Sequence, residues 1–396
     1  MKPKILFVAY HFPPEINGGV ERIKNFYKNL KSLEFETYVI APAYKNVRYE
    51  DGMDIIRYPN VNRESNFIRT GIERVKYRIS VAFGRPVFFD QYWEKKIISK
   101  LDEIINRINP DVCFVSYPPS IEFDIGLIIK RRYPHIKLIL DYRDGFISYS
   151  VEEEQLKNKY IREKYTALER NCVNMADAVI TAVDVLSQDL KERYGLNNVY
   201  TITNGFDPDE FPYDPKEKCS FRRYTVLYTG GLDSSRIGQF AYAKPVLGEL
   251  FREFETIDFV FVGKYKEYEK EFFAAFPNVK VMDRQSRNKV IAMQRSVDAL
   301  LLVTSDDPSG TSGKLFEYLF AKKPIINLGR QNAAERIISE TDSGLSFFNK
   351  EIDRIIEYVH MLQNGKAEFR YRSLDKFTRV NQAKQLAEII HSLIND

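Results

Sequence analysis

The sequence predicts an α/β protein built of two doubly wound domains in succession, and three observations carry the prediction. The chain has 396 residues, and at roughly 100–200 residues per domain two is the default. Strand-like apolar runs alternate with helical patterns almost from end to end, as parallel sheets with helical crossovers require. The alternation breaks once, near residue 204, in a turn-rich stretch, and then starts again.

Ile5–Tyr10 is a continuous apolar run, the mark of a strand buried on both faces. A loop over His11–Gly19 leads into a helix with Val20, Ile23, Phe26, Tyr27 and Leu30 at helical spacing. Thr37–Ala41 is the next strand, so the opening is a βαβ unit with a right-handed crossover. Strands are then expected at Asp54–Tyr58, Val112–Tyr117, Lys137–Tyr142, Ala178–Ala182 and Val199–Ile202. The clearest helical pattern between them carries Trp93, Ile97, Leu101, Ile104 and Ile108. Asn204-Gly205-Phe206-Asp207-Pro208-Asp209, with Pro212 and Pro215, then punctuates the chain. The second series reads Tyr224–Thr229, Phe259–Val262, Val279–Met282, Ala299–Val303, Pro324–Leu328 and Leu345–Phe348. Phe377 to Ile394 closes as a helix. The expected domains are 1–205 and 206–376, with 377–396 returning to the first.

Composition narrows the function. A net charge of +4 is too mild to mark a nucleic-acid binder. No charge-free apolar run approaches the ~20 residues of a membrane span, and the opening run is too short for a signal peptide. Three cysteines far apart argue against a disulfide framework, and four scattered histidines against a histidine metal site. The expected setting is the reducing cytosol.

In doubly wound sheets ligands sit at the carboxyl ends of strands, at the switch point, so the strand-to-helix loops hold the candidates. Phe12 to Arg22 brings Gly18 and Gly19 to a helix start, where exposed amides favour an anion; an ordinary βα turn reads the same. Tyr228 to Arg236 repeats the pair as Gly230 and Gly231 and adds Arg236, which can pair with phosphate oxygens or simply sit in solvent. The densest loop runs Asp306 to Leu319. Ser309, Gly310, Thr311, Ser312 and Gly313 lead into a helix whose first turn carries Lys314 and Glu317 on one face. Its amides can cradle a phosphate, and Glu317 can accept from ribose hydroxyls or serve as a dipole-favoured partner of Lys314. After another strand come Asp141, Arg143 and Asp144, a site for an acceptor hydroxyl or a self-neutralising cluster. Asp141 fits the structural reading and Asp144 the functional one. Asp207-Pro208-Asp209 and Asp306-Asp307-Pro308 read as turns and caps rather than metal sites.

Together and in this order the loops resemble glycosyltransferase family 4, retaining enzymes of the GT-B fold with two Rossmann-like domains facing a central cleft. FPPEINGGVER resembles that family's first loop, which touches donor phosphate and sugar. Thr203 to Asp207, with Asn204, resembles its P-N-G-V-D junction. VDALLLVTSDDPSGTSGKLFEYLFAKKPII resembles its E-x7-E donor region, and GKLFEYL with DYRD is similar to the branch that builds bacterial surface polysaccharides. Four positions depart from the pattern. Gly231 stands where the family has arginine, and Arg236 where it has lysine. Ser309 replaces the first glutamate, and Arg143-Asp144 replace His-Asp.

The resemblance implies transfer of a sugar from a UDP- or GDP-sugar to a saccharide acceptor, lipid-linked and at the inner face of the cell membrane. Arg236, Lys314 and Asp144 would do chemistry. Gly18, Gly19, Asn204, Gly230, Arg284, Ser309, Gly310, Thr311, Ser312, Gly313 and Glu317 would bind substrate, with Arg284 beside the base. No metal, no cofactor beyond the donor and no nucleic acid is expected. The basic amphipathic segment Arg63 to Arg85 reads as a membrane contact or a solvated helix, with Lys130-Arg131-Arg132 a weaker second basic patch. Rival readings are a nucleotide-sugar epimerase on the same fold and a non-catalytic partner subunit that binds the donor without turning it over.

Overall fold

The computed structural model describes residues 2–15, 18–44, 47–49, 52–60, 75, 91–150, 156–210, 219–232 and 238–395. The segment Arg63 to Arg85, apart from Val75, lies outside them, as does Arg236. The chain divides into two compact units, residues 1–203 with 379–396, and residues 204–378.

The first unit holds a seven-stranded parallel sheet in the order β3-β2-β1-β4-β5-β6-β7. The strands are β1 (Lys4–Val8), β2 (Glu36–Ala43), β3 (Ile55–Pro59), β4 (Val112–Tyr117), β5 (Lys137–Tyr142), β6 (Ala178–Thr181) and β7 (Val199–Thr201). Every residue of β4 is buried, which explains why VCFVSY shows no polar alternation. The crossovers are α1 (Gly18–Ser32), α2 (Gln91–Ile98), α3 (Leu101–Ile108), α4 (Ile121–Arg132), α5 (Lys159–Met175) and α6 (Asp184–Tyr194). Helix α1 buries Val20, Ile23, Phe26 and Leu30 on one stripe. The pattern from Trp93 to Ile108 forms two helices instead of one. At Lys100 the bonding tightens, its amide donating to Ile97 O, and the apolar stripe resumes beyond the break.

The second unit repeats the architecture with six parallel strands in the order β10-β9-β8-β11-β12-β13. These are β8 (Thr225–Thr229), β9 (Asp258–Val262), β10 (Val279–Met282), β11 (Ala299–Val303), β12 (Ile325–Leu328) and β13 (Gly344–Phe347). Between and after them run α7 (Gln239–Glu253), α8 (Glu267–Ala274), α9 (Arg287–Ser296), α10 (Gly313–Ala321), α11 (Ala333–Thr341) and α12 (Ile352–Gln363). The last helix, α13 (Arg379–Asn395), belongs to the first unit, where Ala383, Leu386 and Ile390 share a core with Ile23, Phe26 and Leu30 of α1.

Each sheet reverses its order once, between β1 and β4 and between β8 and β11. The two Gly-Gly loops follow β1 and β8, so each lies at its own sheet's switch point, where a ligand crevice is expected. Among the described residues no helix is long and apolar enough to cross a membrane. Lys130 does not present a bare charge: its ammonium pairs with Asp177 at 2.7 Å and donates to Pro134 O and Ile136 O.

Candidate functional site

In the first unit the strand ends converge on a buried polar network. Arg22, on the first turns of α1, is fully buried and grips Asp141 at the end of β5, with Nη2 2.7 Å from Oδ1 and Nε 3.0 Å from Oδ2. Its Nη1 donates to Thr203 O, and Ser116 Oγ donates to Asp141 Oδ2 at 2.7 Å. Asp141 is therefore structural, and the cation that neutralises it is Arg22 rather than Arg143. Glu122, buried on α4, accepts from the Tyr10 and Ser116 amides at 2.9 and 3.0 Å. Burial pushes its carboxyl up to about 8, against the opposing pull of the Arg143 charge and those two amides.

Arg143 itself lies across the start of α1. A β-carbon on Gly19 would stand 1.6 Å from Arg143 Nη1, so only glycine lets the guanidinium rest there. Its Nη2 donates to Pro118 O, while its buried Nε has no hydrogen-bond partner. A β-carbon on Gly18 would meet nothing within 4 Å. Asp144 follows in the same loop, half-buried.

The second unit builds its switch point around Lys314. Gly230 follows β8 with φ +96°, its amide donating to Val262 O at 2.7 Å and its carbonyl accepting from Tyr265 at 2.8 Å. The Lys314 side chain lies over it: a β-carbon there would stand 2.5 Å from Lys314 Cε. The ammonium donates to Tyr228 Oη at 2.7 Å and sits 4.4 Å from the centre of the Tyr228 ring. Burial depresses Lys314 to about 8, with Glu317 pulling the other way.

Helix α10 starts at Gly313, capped by Ser312, whose side chain accepts from the Lys314 amide. Glu317 is not paired with Lys314. Its carboxylate accepts from Gln294 at 3.1 Å and faces Arg287 on α9 at 3.5 Å. Gln294 also donates to Thr229 Oγ1, tying α9 to the end of β8.

The preceding loop separates the remaining candidates by role. Ser309 is buried and donates to Asp307 Oδ1 at 2.7 Å, so its hydroxyl closes the turn. A β-carbon on Gly310 would stand 2.7 Å from Asp307 O, so that glycine serves the same turn. Thr311 Oγ1 is buried with no hydrogen-bond partner. Arg284 is exposed after β10, and Asn204 is half-buried at the start of the second unit. Asp207 accepts from the Asp209 amide at 3.0 Å, as a turn does. Among the described residues no group of three or more His, Cys, Asp or Glu side chains is placed to hold a metal ion.

The structure thus brings Gly230, Lys314, Gly313, Thr311 and Glu317 together and adds residues that sequence reasoning left without a role. These are Arg22, Glu122, Tyr228, Arg287 and Gln294. Tyr228 was the easiest to find, since it stands two residues before Gly230. Gln294 carries no motif at all.

Two parallel α/β domains with this strand order and these switch-point loops define a GT-B glycosyltransferase fold. Sucrose-phosphate synthase from Thermosynechococcus elongatus shares it at a TM-score of 0.70 with 13% identity, over 100% of this chain and 100% of that one. The Anabaena protein HepE in complex with UDP and glucose aligns at 0.63 with 13% identity, over 98% of this chain and 99% of that one. The lipopolysaccharide outer core galactosyltransferase WaaB aligns at 0.62 with 15% identity, over 98% and 99%. At such identities these likenesses establish the fold. Residues 16–210 match the model of Glycosyltransferase Family 4, and this match and the fold together support that family for the chain. No curated protein matches the sequence.

Proposed function

We propose that the chain transfers a sugar from a UDP- or GDP-sugar to a saccharide acceptor, with retention of anomeric configuration and without a metal, in assembly of a bacterial surface polysaccharide on a lipid-linked acceptor. One observation carries the reading. At the second switch point an ammonium without a carboxylate partner, Lys314, shares the first turn of α10 with a carboxylate, Glu317, held from α9 by Gln294 and Arg287. A nucleoside diphosphate sugar offers both complements, phosphate oxygens for the cation and helix N-terminus and hydroxyls for the carboxylate.

The chemistry follows from the leaving group. Breaking the sugar–phosphate bond leaves negative charge on the departing diphosphate, and preorganised donors aimed at that charge lower the barrier. Lys314 and the α10 amides supply such donors, with Arg236 as a further cation and Thr311 Oγ1 as a hydroxyl still open to a partner. Removing one good donor of this type costs ~10²–10³ in rate. Asp144 and Arg143 belong to the acceptor side in this reading. HepE, solved with UDP and glucose, is consistent with the donor class.

A thermal-shift panel of UDP, GDP, ADP and dTDP with their common sugars, with and without EDTA, tests the reading. Binding to the native state raises the melting temperature. A shift with one base, unchanged by EDTA, is the expected result, and the anomeric proton of the transfer product then reports retention. A non-catalytic partner subunit is the second reading, favoured by Ser309, whose hydroxyl is held by Asp307. Binding without turnover over a panel of acceptors would select it. Release of free sugar without acceptor would select the epimerase reading.

A further inference from the structure

The turn after β8 carries no cation of its own among the described residues, since Gly230 and Gly231 have no side chains. The charge over it comes from α10, and something must hold it there. A lysine ammonium is a compact charge on a flexible stem, and its burial without a counter-ion is unfavourable. The acceptor it has is Tyr228 Oη at 2.7 Å, and that hydroxyl in turn donates to Gly231 O at 3.1 Å. Tyr228 is 1% exposed, so its ring and hydroxyl are fixed by the core. The ring face, 4.4 Å below the ammonium, adds a second attraction.

We infer that Tyr228 is the positioning residue of this site, holding the Lys314 ammonium over Gly230 as the contact for an incoming diphosphate. The inference rests on the proposed nucleotide-sugar reading and deepens it. An ammonium has three N–H donors. One goes to Tyr228, and the others remain for phosphate oxygens at the turn, where Gly230 and Gly231 bring no side chain of their own. Among the described residues, the titratable groups that face Lys314 are few. Tyr228 on β8 and Tyr265, which donates to Gly230 O, are neutral phenols that burial holds above their usual range. Glu317 on α10 is the nearby carboxylate, itself facing Arg287 on α9.

The test is isothermal titration of the full chain with UDP, and in parallel with GDP, from pH 6.5 to pH 9.5. The phosphates of both probes are fully ionised over most of this range, since a second phosphate pKa lies near 6, and the fall is read between about pH 7 and pH 8.5, below the ionisation of the uracil and guanine N–H groups. Wild-type affinity should fall as pH rises through the Lys314 range near 8, by up to about tenfold per unit. Tyr228→Phe removes an acceptor that favours the charged amine, so the fall should move to lower pH. Lys314→Met should bind weakly and without pH dependence, whereas Lys314→Arg, always charged, should show none of the fall. Should Tyr228→Phe fail to fold, the wild-type profile still decides, because a flat one overturns the inference. Wild-type binding that is flat with pH, or a Tyr228→Phe profile superimposed on wild type, overturns the inference while leaving the donor reading intact. No binding of either probe at any pH overturns the nucleotide reading and the inference with it.

Discussion

The two Gly-Gly turns invite comparison, because each unit solves the same problem with different chemistry. In both, a cationic side chain from the far side of the switch point lies on a glycine where a β-carbon would collide with it. Arg143 lies on Gly19 and Lys314 on Gly230. The first turn is backed by a buried ion pair, Arg22–Asp141, and the second by a neutral phenol, Tyr228. Gly19 is an ordinary helical residue, whereas Gly230 holds φ +96°. The difference teaches that the first turn is stiffened by charge and the second by aromatic packing and backbone conformation. Only the second presents an ammonium whose charge state can change near neutral pH.

The sharpest way to break the comparison is to remove the charge from the first unit. Arg22→Met leaves Asp141 buried without its cation, and breaking a buried pair in this way costs about 3–5 kcal/mol. Urea unfolding should show that loss, and nucleotide affinity measured on the folded fraction should be unchanged if the second turn alone binds the donor. Next comes Glu317→Ala. It removes the carboxylate that Gln294 and Arg287 hold in place, so UDP-sugar affinity should drop at least tenfold with little change in melting temperature. Unchanged affinity would take Glu317 out of the site.

The glycines themselves sharpen the contrast. Gly230→Ala combines a backbone conformation that L-residues rarely adopt, worth about 1–3 kcal/mol, with displacement of Lys314. Gly19→Ala displaces Arg143 but strains no backbone. The first substitution should cost stability and nucleotide affinity together. The second should leave stability within about 1 kcal/mol and act on acceptor use, read as KM for the acceptor in a transfer assay. Equal stability losses would show that side-chain crowding outweighs backbone conformation at both turns.

Much of this was readable in advance, for physical reasons that also mark where reading stops. The strands were legible because both faces are buried, so runs such as Ile5–Val8 and Ala299–Val303 carry no polar residues. The glycine pairs were legible because backbone demands leave a residue-type mark. The partnerships were not. Arg22 and Asp141 lie 119 positions apart, and Lys314 and Tyr228 86 apart. Local pattern says that Arg22 and Lys314 sit on the first turns of helices, and topology alone decides which strand end each helix start meets. Spacing suggested Lys314 and Glu317 as a pair on one face. In the fold Lys314 turns back over Gly230 while Glu317 turns toward α9, because the switch point offers the lysine a phenol and the neighbouring helix offers the carboxylate two donors.

The last expected effect reads both turns in a single measurement. Glu122, beside the first turn, has a carboxyl raised to about 8, well above an unfolded glutamate. The native state therefore binds more protons than the unfolded chain between roughly pH 4.5 and pH 8, and stability should fall as pH rises through that window. Lys314, beside the second turn, is depressed to about 8 from the 10.5 of a free lysine. There the native state binds fewer protons than the unfolded chain between about 8 and 10.5, so stability should rise with pH in that window. Neither contribution can exceed about 1.4 kcal/mol per pH unit, the limit for one proton. Glu94, also raised to about 8, and the buried Cys113 and Cys172 thiols, raised above their usual range, titrate in overlapping windows, so each contribution is read as a difference from a variant. In calorimetry from pH 5 to pH 10, wild-type stability minus that of Lys314→Met should be flat below about pH 8 and rise above it. A difference that also changes between pH 5 and pH 7 would mean that the two turns share one proton equilibrium, and the contrast between a charge-stiffened and a phenol-held turn would fall.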